Sequence, residues 1–331
     1  MKFLRKILLT ALACFILCGC SASSKTYVAY TIYPLGFLLD RIAGDRVDTI
    51  SIQDDTNHVT NAQILENYQE IIDNSSYFFH IGTLEPYYGI YEEDFINSDV
   101  KSIDLSTLNA IYKFQRYTLA YVDGKETYVE GPYYESDIFN DVDIDDLDLY
   151  LWLDPIGMLS MANDICNTLS ANYVEQSAFF TANKKELETE LINLDASYQN
   201  LATKVKKENK TIRFVSMTAS FGTWQKAYGF QIYPICLSKY GALPSEQQLD
   251  FIKQRIIADG VQYIAYEPNM SEDMLALFNQ LENELGLKRI NLNNISSLTP
   301  SQKADGKDYF ALMYENLTVL ENIATGEITA E

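Results

Sequence analysis

Apolar and polar positions follow two rhythms along this chain, and the rhythms alternate in a regular order. TYVAYTIY (26–33), VDTISI (47–52) and YFFHIG (77–82) are short runs rich in β-branched and aromatic residues, with a weaker fourth near Lys101 to Leu105. Such runs predict strands. Leu35 to Ala43 and Asn61 to Asn74 lie between them, and the second puts Ile64, Tyr68, Ile71 and Ile72 at helical spacing. The second half repeats the outline. TIRFVSM (211–217), FQIYPICL (230–237), QYIAYE (262–267) and KRINLN (288–293) read as strands, with helical stretches opened by Pro244 and Ser271, each followed by acids in the first turn. Met158 to Tyr173 and Tyr309 to Ile323 read as further helices. Strand–helix alternation predicts an α/β fold with a mostly parallel central sheet, flanked by helices, in each half.

The longest helical pattern runs from about Ala178 to Glu208, where Leu187, Leu191, Leu194, Tyr198, Leu201 and Val205 recur at spacings of four and three. A helix of that length reaches about 46 Å, the span of two small domains. The spacing is heptad-like, but it lasts too few heptads for a coiled coil. It predicts one long linker helix (178–209) joining an N-terminal lobe (26–177) to a C-terminal lobe (210–331). Residues 123–148 interrupt the rhythm with Gly124, Gly131, Pro132 and then six aspartates from Asp137 to Asp148. They read as an exposed acidic loop. The D-x-D-x-D-D run at Asp141 to Asp146 lacks the glycine and the closing glutamate of a calcium loop, since Asp146 and Trp152 occupy those positions.

The first residues carry a different pattern. Lys2, Arg5 and Lys6 precede an apolar run from Ile7 to Leu17, too short to span a bilayer as a helix and suited to a secretory signal. It ends in Leu17-Cys18-Gly19-Cys20, which resembles the bacterial lipobox. Residues 1–19 are therefore expected to be removed, Cys20 to carry the lipid, and residues 20–25 to form a tether. That leaves 312 residues with a formal charge of −24. Such a surface repels nucleic acid and anionic head groups, and favours a cation as partner. Cys166 and Cys236, one in each half, form neither a disulfide framework nor a metal-ligand spacing. There is no H-E-x-x-H, no G-x-S-x-G and no Walker loop, and with two histidines the usual catalytic bases are scarce. An enzyme is not expected.

In open parallel sheets ligands sit beyond the carboxyl ends of the strands. The residues there are His58, in DDTNH after the second strand, His80 at the end of the third, and Thr218, Glu267 and Asn293 in the second half. Two readings of His80 stand: a site residue, or a strand-end residue half buried against Phe78 and Phe79. Glu267 likewise either serves the site or holds the loop that follows it.

Leu149 to Pro155 (LYLWLDP) resembles the D-P-H-x-W-L-D-P signature of the ABC-transporter substrate-binding proteins that deliver zinc or manganese. YTIYPLGFLLDRIAGDRV, ASFGTWQKAYGF (219–230), GALPSEQQLDFIKQRIIADGVQYIAYEPNMS and DYFALMYENLTVL resemble further segments of that family in collinear order, covering essentially the whole mature chain. The resemblance implies two α/β lobes joined by one long helix. It also implies a monomeric, lipid-anchored protein on the extracytoplasmic face of a bacterial cell membrane. That protein would capture a ligand between its lobes and pass it to a permease and its ATPase. The implied cargo is a divalent metal, zinc or manganese, and no organic cofactor is implied. The family's four ligand positions fall on His58, Tyr150, Thr218 and Asn293, with Glu267 nearby. The family's usual histidines are thus replaced at two positions, which does not suit zinc. A repaired site from His58, His80 and Glu267, with Asp54 or Asp55, is the other arrangement open to the chain. The alternative function is a relative that keeps the scaffold, has lost metal transport, and serves in adhesion or binds an organic solute.

Overall fold

The computed structural model describes residues 27–54, 58–107 and 111–327. The signal segment, the tether with Cys20, and Asp55 lie outside the described residues. In chain order the strands are β1 (Tyr27–Tyr30), β2 (Asp48–Ser51), β3 (Ser75–His80), β4 (Lys101–Asp104), β5 (Arg116–Val122), β6 (Lys125–Gly131), β7 (Arg213–Thr218), β8 (Gln231–Cys236), β9 (Tyr263–Tyr266) and β10 (Lys288–Asn291). The helices are α1 (Tyr33–Ala43), α2 (Tyr68–Asp73), α3 (Tyr88–Asn97), α4 (Pro155–Asn172), α5 (Ser177–Lys207), α6 (Thr223–Tyr228), α7 (Glu246–Ala258), α8 (Glu272–Leu285), α9 (Pro300–Ala304) and α10 (Tyr309–Thr325).

Two parallel sheets result, in the orders β2-β1-β3-β4 and β10-β9-β7-β8. In each, the chain reverses its direction of growth between two central strands, β1 and β3 or β7 and β9. Crevices at such reversals, beyond the strands' carboxyl ends, are where open α/β sheets take ligands. The two-lobed architecture read from the sequence is the one found.

Helix α5 is the expected spacer, but it is not a free strut. Its stripe of Phe180, Leu187, Leu191, Leu194, Tyr198, Leu201 and Val205 is buried. Near its start Asn183 donates to the Ile42 carbonyl of α1 at 3.1 Å, and further along the Tyr198 hydroxyl donates to the Met313 carbonyl of α10 at 2.8 Å. One helix is therefore bonded to both lobes.

The segment LYLWLDP lies at the crossing of these elements. Asp154 accepts from the Ile156 N–H at 2.9 Å and caps α4, with Pro155 in its first turn, where proline's missing N–H costs nothing. Trp152 donates through Nε1 to the Asn294 carbonyl at 2.6 Å, and its own carbonyl accepts from the Tyr309 hydroxyl at 2.7 Å. The Leu153 carbonyl accepts from Trp224 Nε1 at 2.8 Å. Each bond satisfies a buried polar atom while tying this turn to the second lobe.

Two sequence expectations need correction. The helix expected over 61–74 is confined to Tyr68–Asp73. Residues 62–67 instead run beside the end of β2, where Asp54 N–H donates to the Gln63 carbonyl and Leu65 N–H to the Ile52 carbonyl. Their backbone donors are used there rather than in a helix. The expected loop over 123–148 begins with a β-hairpin, β5–β6, closed at Asp123-Gly124, where both residues have positive φ (51° and 74°). Asp-Gly is the pair that two-residue hairpin turns prefer. The hairpin packs on the second lobe, with Gln231 Nε2 donating to the Tyr117 carbonyl at 3.0 Å and Tyr128 donating to the Lys226 carbonyl at 2.9 Å. The aspartates beyond it are not uniformly solvated. Asp137, Asp141, Asp143 and Asp146 are exposed, Asp145 is half-buried, and Asp148 is buried.

Candidate functional site at the facing strand ends

In the second lobe, Glu267 follows β9 and points across to the end of β7. It is fully buried. Its Oε1 accepts from the Met217 and Thr218 N–H groups at 2.9 and 3.1 Å. Its Oε2 accepts from Thr218 Oγ1 (2.7 Å), Ser220 Oγ (3.1 Å) and Asn294 Nδ2 (3.0 Å). Burial leaves its pKa raised, although these donors oppose the shift. Thr218 Oγ1 and Ser220 Oγ also stand 2.6 Å apart, so one of these hydroxyls donates to the other. The four donors that remain match the roughly four lone-pair sites of a carboxylate, so little capacity is left for another partner. Glu267 thus holds the strand-end loops together.

Asn293 belongs to the loop after β10. Its Oδ1 accepts from the Ile295 N–H at 2.7 Å, and its Nδ2 is buried without a partner. Ile295 has φ of +59°, a left-handed backbone that costs a β-branched residue on the order of 1–3 kcal/mol. Strain of that kind beside a strand end is held in place by the Asn293 bond and by Trp152 on the Asn294 carbonyl.

From the first lobe, His58 caps the short turn Val59–Asn61 through Nδ1, which accepts from the Thr60 N–H at 3.2 Å. Its Nε2 is buried, has no hydrogen-bond partner among the described residues, and stands 4.0 Å from Glu267 Oε2. An ion pair at that distance would raise the imidazole's pKa. Burial outweighs it and lowers the value to about 4, so the ring is neutral at pH 7. Val59 N–H also crosses between the lobes to Ser296 Oγ at 3.3 Å. Thr60, Leu84, Tyr150, Thr218, Cys236 and Gly241 line a cavity of about 30 Å³ at this junction. Tyr150 is buried, packs its ring on Trp152 with centroids 5.1 Å apart, and is pushed well above the usual phenol value, first by burial and then by the charges of Glu267 and Asp148.

His80 is not part of this junction's bonding. Its Nδ1 donates to the Gly82 carbonyl at 3.0 Å, its Nε2 accepts from the Tyr88 hydroxyl at 3.2 Å, and its ring stacks between Phe78 and Tyr88. Both nitrogens are used. Among the described residues of the repaired set, His58 and Glu267 come together and His80 does not.

Sequence reasoning passed over four participants. Glu85 lies five residues past His80, is 1% exposed, and has both carboxylate oxygens unpartnered. Burial pushes it up to about 7; the Thr31 hydroxyl stands near enough to lower it without reaching hydrogen-bond geometry. Asp148, two residues before Tyr150, accepts from the Tyr150 N–H at 3.2 Å and is raised to about 7 by burial. Ser220 and Asn294 complete the Glu267 network. Listing whole strand-end loops, rather than the first polar residue of each, would have reached Glu85 and Asn294.

The donors present do not compose a zinc site. A single imidazole is available, its partner carboxylate is saturated, and Tyr150, Thr218 and Asn293 offer neutral oxygen or nitrogen. Burial also pushes the Cys236 thiol up to about 12, so no thiolate stands in. Among the described residues no three His, Cys, Asp or Glu side chains converge as a metal site.

Comparison with known proteins places this geometry. The chain is 28% identical to the zinc-binding lipoprotein AdcA of Streptococcus pneumoniae over 182 residues, which is 55% of this chain and 35% of that one. It is 25% identical to the high-affinity zinc uptake system protein ZnuA of Bacillus subtilis over 176 residues, 53% of each chain. The chain thus matches about a third of AdcA's length and about half of ZnuA's. The Zn(II)-bound ZnuA-like domain of S. pneumoniae AdcA superposes with a TM-score of 0.66 at 21% identity, covering 90% of this chain and 98% of that domain. That likeness is one of fold. The family described as zinc-uptake complex component A, periplasmic, matches residues 28–323, both lobes and the helix between them, and the chain belongs to it.

Proposed function

We propose that this chain is the extracytoplasmic solute-capturing component of an ABC importer of the zinc- and manganese-delivering type. It closes on its cargo where the strand ends of the two lobes meet, and it presents that cargo to a permease driven by an ATPase. The observation that carries this reading is the junction itself. His58 and Thr60 from one lobe meet Thr218 and Glu267 from the other at the chain-reversal crevice of the second sheet. Motion between the lobes is limited on this reading, because α5 is bonded to both. A divalent metal is the cargo that membership suggests, and the relatives named for zinc support it as the first ligand to try. The set His58, Tyr150, Thr218, Glu267 and Asn293 is the part of the chain that would face any cargo, with His80 a support behind it.

The same reading includes a signal segment of residues 1–19, a diacylglycerol on Cys20, a tether to residue 25, and a monomer held at the membrane's outer face. It includes no catalytic role. Two measurements test it. ATP hydrolysis by the host's permease–ATPase pair of the zinc- and manganese-delivering type, reconstituted in vesicles, should rise when the full mature chain is added; an unchanged rate overturns the capture role. Cys20→Ala should release the protein from the membrane fraction into the medium, and retention on the membrane would remove the lipid anchor.

A further inference from the structure

The hydrogen bonds around His58 decide which of its nitrogens carries the proton. A backbone N–H can only donate, so the bond from Thr60 N–H requires a lone pair on Nδ1. The Thr60 hydroxyl, 2.9 Å from the same nitrogen, then donates to it as well. A neutral imidazole with its lone pair on Nδ1 holds its proton on Nε2, the atom that lies 4.0 Å from Glu267 Oε2. A metal-ligating histidine has the opposite arrangement: it donates its outer N–H to a carbonyl or carboxylate and turns a bare nitrogen to the metal. Asn293 behaves in a similar way. Its carbonyl oxygen must face the Ile295 N–H, so its amide group is the buried end left without a partner. Two buried donors, one from each lobe, thus await an acceptor, while Glu267 is already filled by its own neighbours.

A buried donor left unsatisfied is costly, so each of the two calls for an acceptor. A cation approaching His58 Nε2 meets its proton rather than a lone pair. An anion would be desolvated beside Glu267, Asp148 and Glu85, three buried carboxyl groups. A cavity of about 30 Å³ lined by Thr60, Tyr150 and Thr218 adjoins the junction, so any group admitted beside it is small. We propose that His58 faces the interlobe junction as a hydrogen-bond donor, with Asn293 as a second, and that the cargo enters it through an uncharged oxygen acceptor rather than as a bare divalent cation. This rests on the capture role and narrows its ligand class.

The protein's two histidines make the test direct. In protein carrying ¹⁵N-labelled histidine, a long-range ¹H–¹⁵N correlation spectrum at pH 7 should show opposite tautomers: Nε2–H for His58 and Nδ1–H for His80. His80→Gln assigns the two. Zinc chloride, added in equimolar amount and then removed by gel filtration, should leave the His58 signals in place and no zinc on the protein. Formamide should shift the His58 Nε2–H resonance, whereas formate, its anionic counterpart of the same size, should not. An Nδ1–H tautomer at His58 overturns the proposal. So does one equivalent of zinc that is retained by the protein and lost in His58→Ala. Silence to formamide, or a response to formate alone, overturns the ligand class. Zinc bound through His58 would leave solute capture standing, whereas unstimulated ATP hydrolysis would end the capture role and leave the tautomer as found.

Discussion

Among the described residues, Glu85 is a buried carboxyl group with no hydrogen-bond partner. Its ordinary value of 4.5 is raised to about 7 by burial. The folded chain therefore holds an extra proton between pH 4.5 and 7, relative to the unfolded one. The stability this group contributes is whole below that window and falls as pH rises through it. Thr31, Tyr88 and Tyr150 are the groups that sense it, and none supplies a positive charge. Glu85→Gln should leave stability at pH 5 nearly unchanged relative to wild type and raise it at pH 8 by on the order of 2 kcal/mol. Urea unfolding at the two pH values checks this, and an equal effect at both would show that the carboxyl is not protonated in the fold. His58 works with the opposite sign. Its value is lowered from 6.5 to about 4, so stability is lost as pH falls through that range. His58→Gln should accordingly protect the protein between pH 6 and 4, in a melting series that wild type would fail first.

At the scale of elements, the termini carry as much information as the hydrophobic stripes. Asp154 and Pro155 start α4, and the bond from the Ile156 N–H to Asp154 is buried enough that its loss is not replaced by water. Asp154→Ala should cost about 1–2 kcal/mol, and Asp154→Asn, which keeps a capping oxygen, much less; chemical denaturation distinguishes them. Gly222 marks a different constraint. A Cβ there would collide with the Asp148 carboxylate and the Tyr133 hydroxyl, so Gly222→Ala should destabilise by about 1–3 kcal/mol and displace the turn that leads to Tyr150. A thermal shift within error would mean that Asp148 yields freely. The same elements show what sequence could disclose. Strands β1, β3, β7, β8 and β9 are mostly buried, and their apolar runs were legible. The β5–β6 hairpin is largely exposed along both strands, so it lacks a core-facing rhythm, and Asp123-Gly124 was its single strong signal. The junction was legible in part for a similar reason. His58, Thr218, Glu267 and Asn293 follow strands and can be found by position. The saturation of Glu267 depends on Ser220 and Asn294, whose approach is set by the closure of three loops and has no local pattern.

Across the whole molecule, the two lobes meet in more than a cleft. One continuous apolar cluster includes Val28 and Leu38 of the first lobe, Leu187 to Val205 of α5, and Phe214, Trp224 and Leu320 of the second. Trp152, fully buried, donates to the loop after β10 while its carbonyl receives Tyr309 from α10. A lobe that unfolded alone would expose this shared core and strand those bonds in its partner. The two lobes and linker helix read from the sequence pattern are therefore coupled: the parts are separable in outline and joined in energy. His80 reports on the first lobe through its stack with Phe78 and Tyr88, and Trp224 on the second through its packing on Phe221. Thermal melting followed by the His80 ring signals and by the Trp224 indole N–H resonance should give one midpoint. Leu194→Ala, which opens a cavity in the buried stripe of α5 at a cost of about 2–5 kcal/mol, should lower both reporters together. If the His80 signals were to melt first in either protein, the lobes would be energetically independent, and α5 would be a tether between them rather than part of their common core.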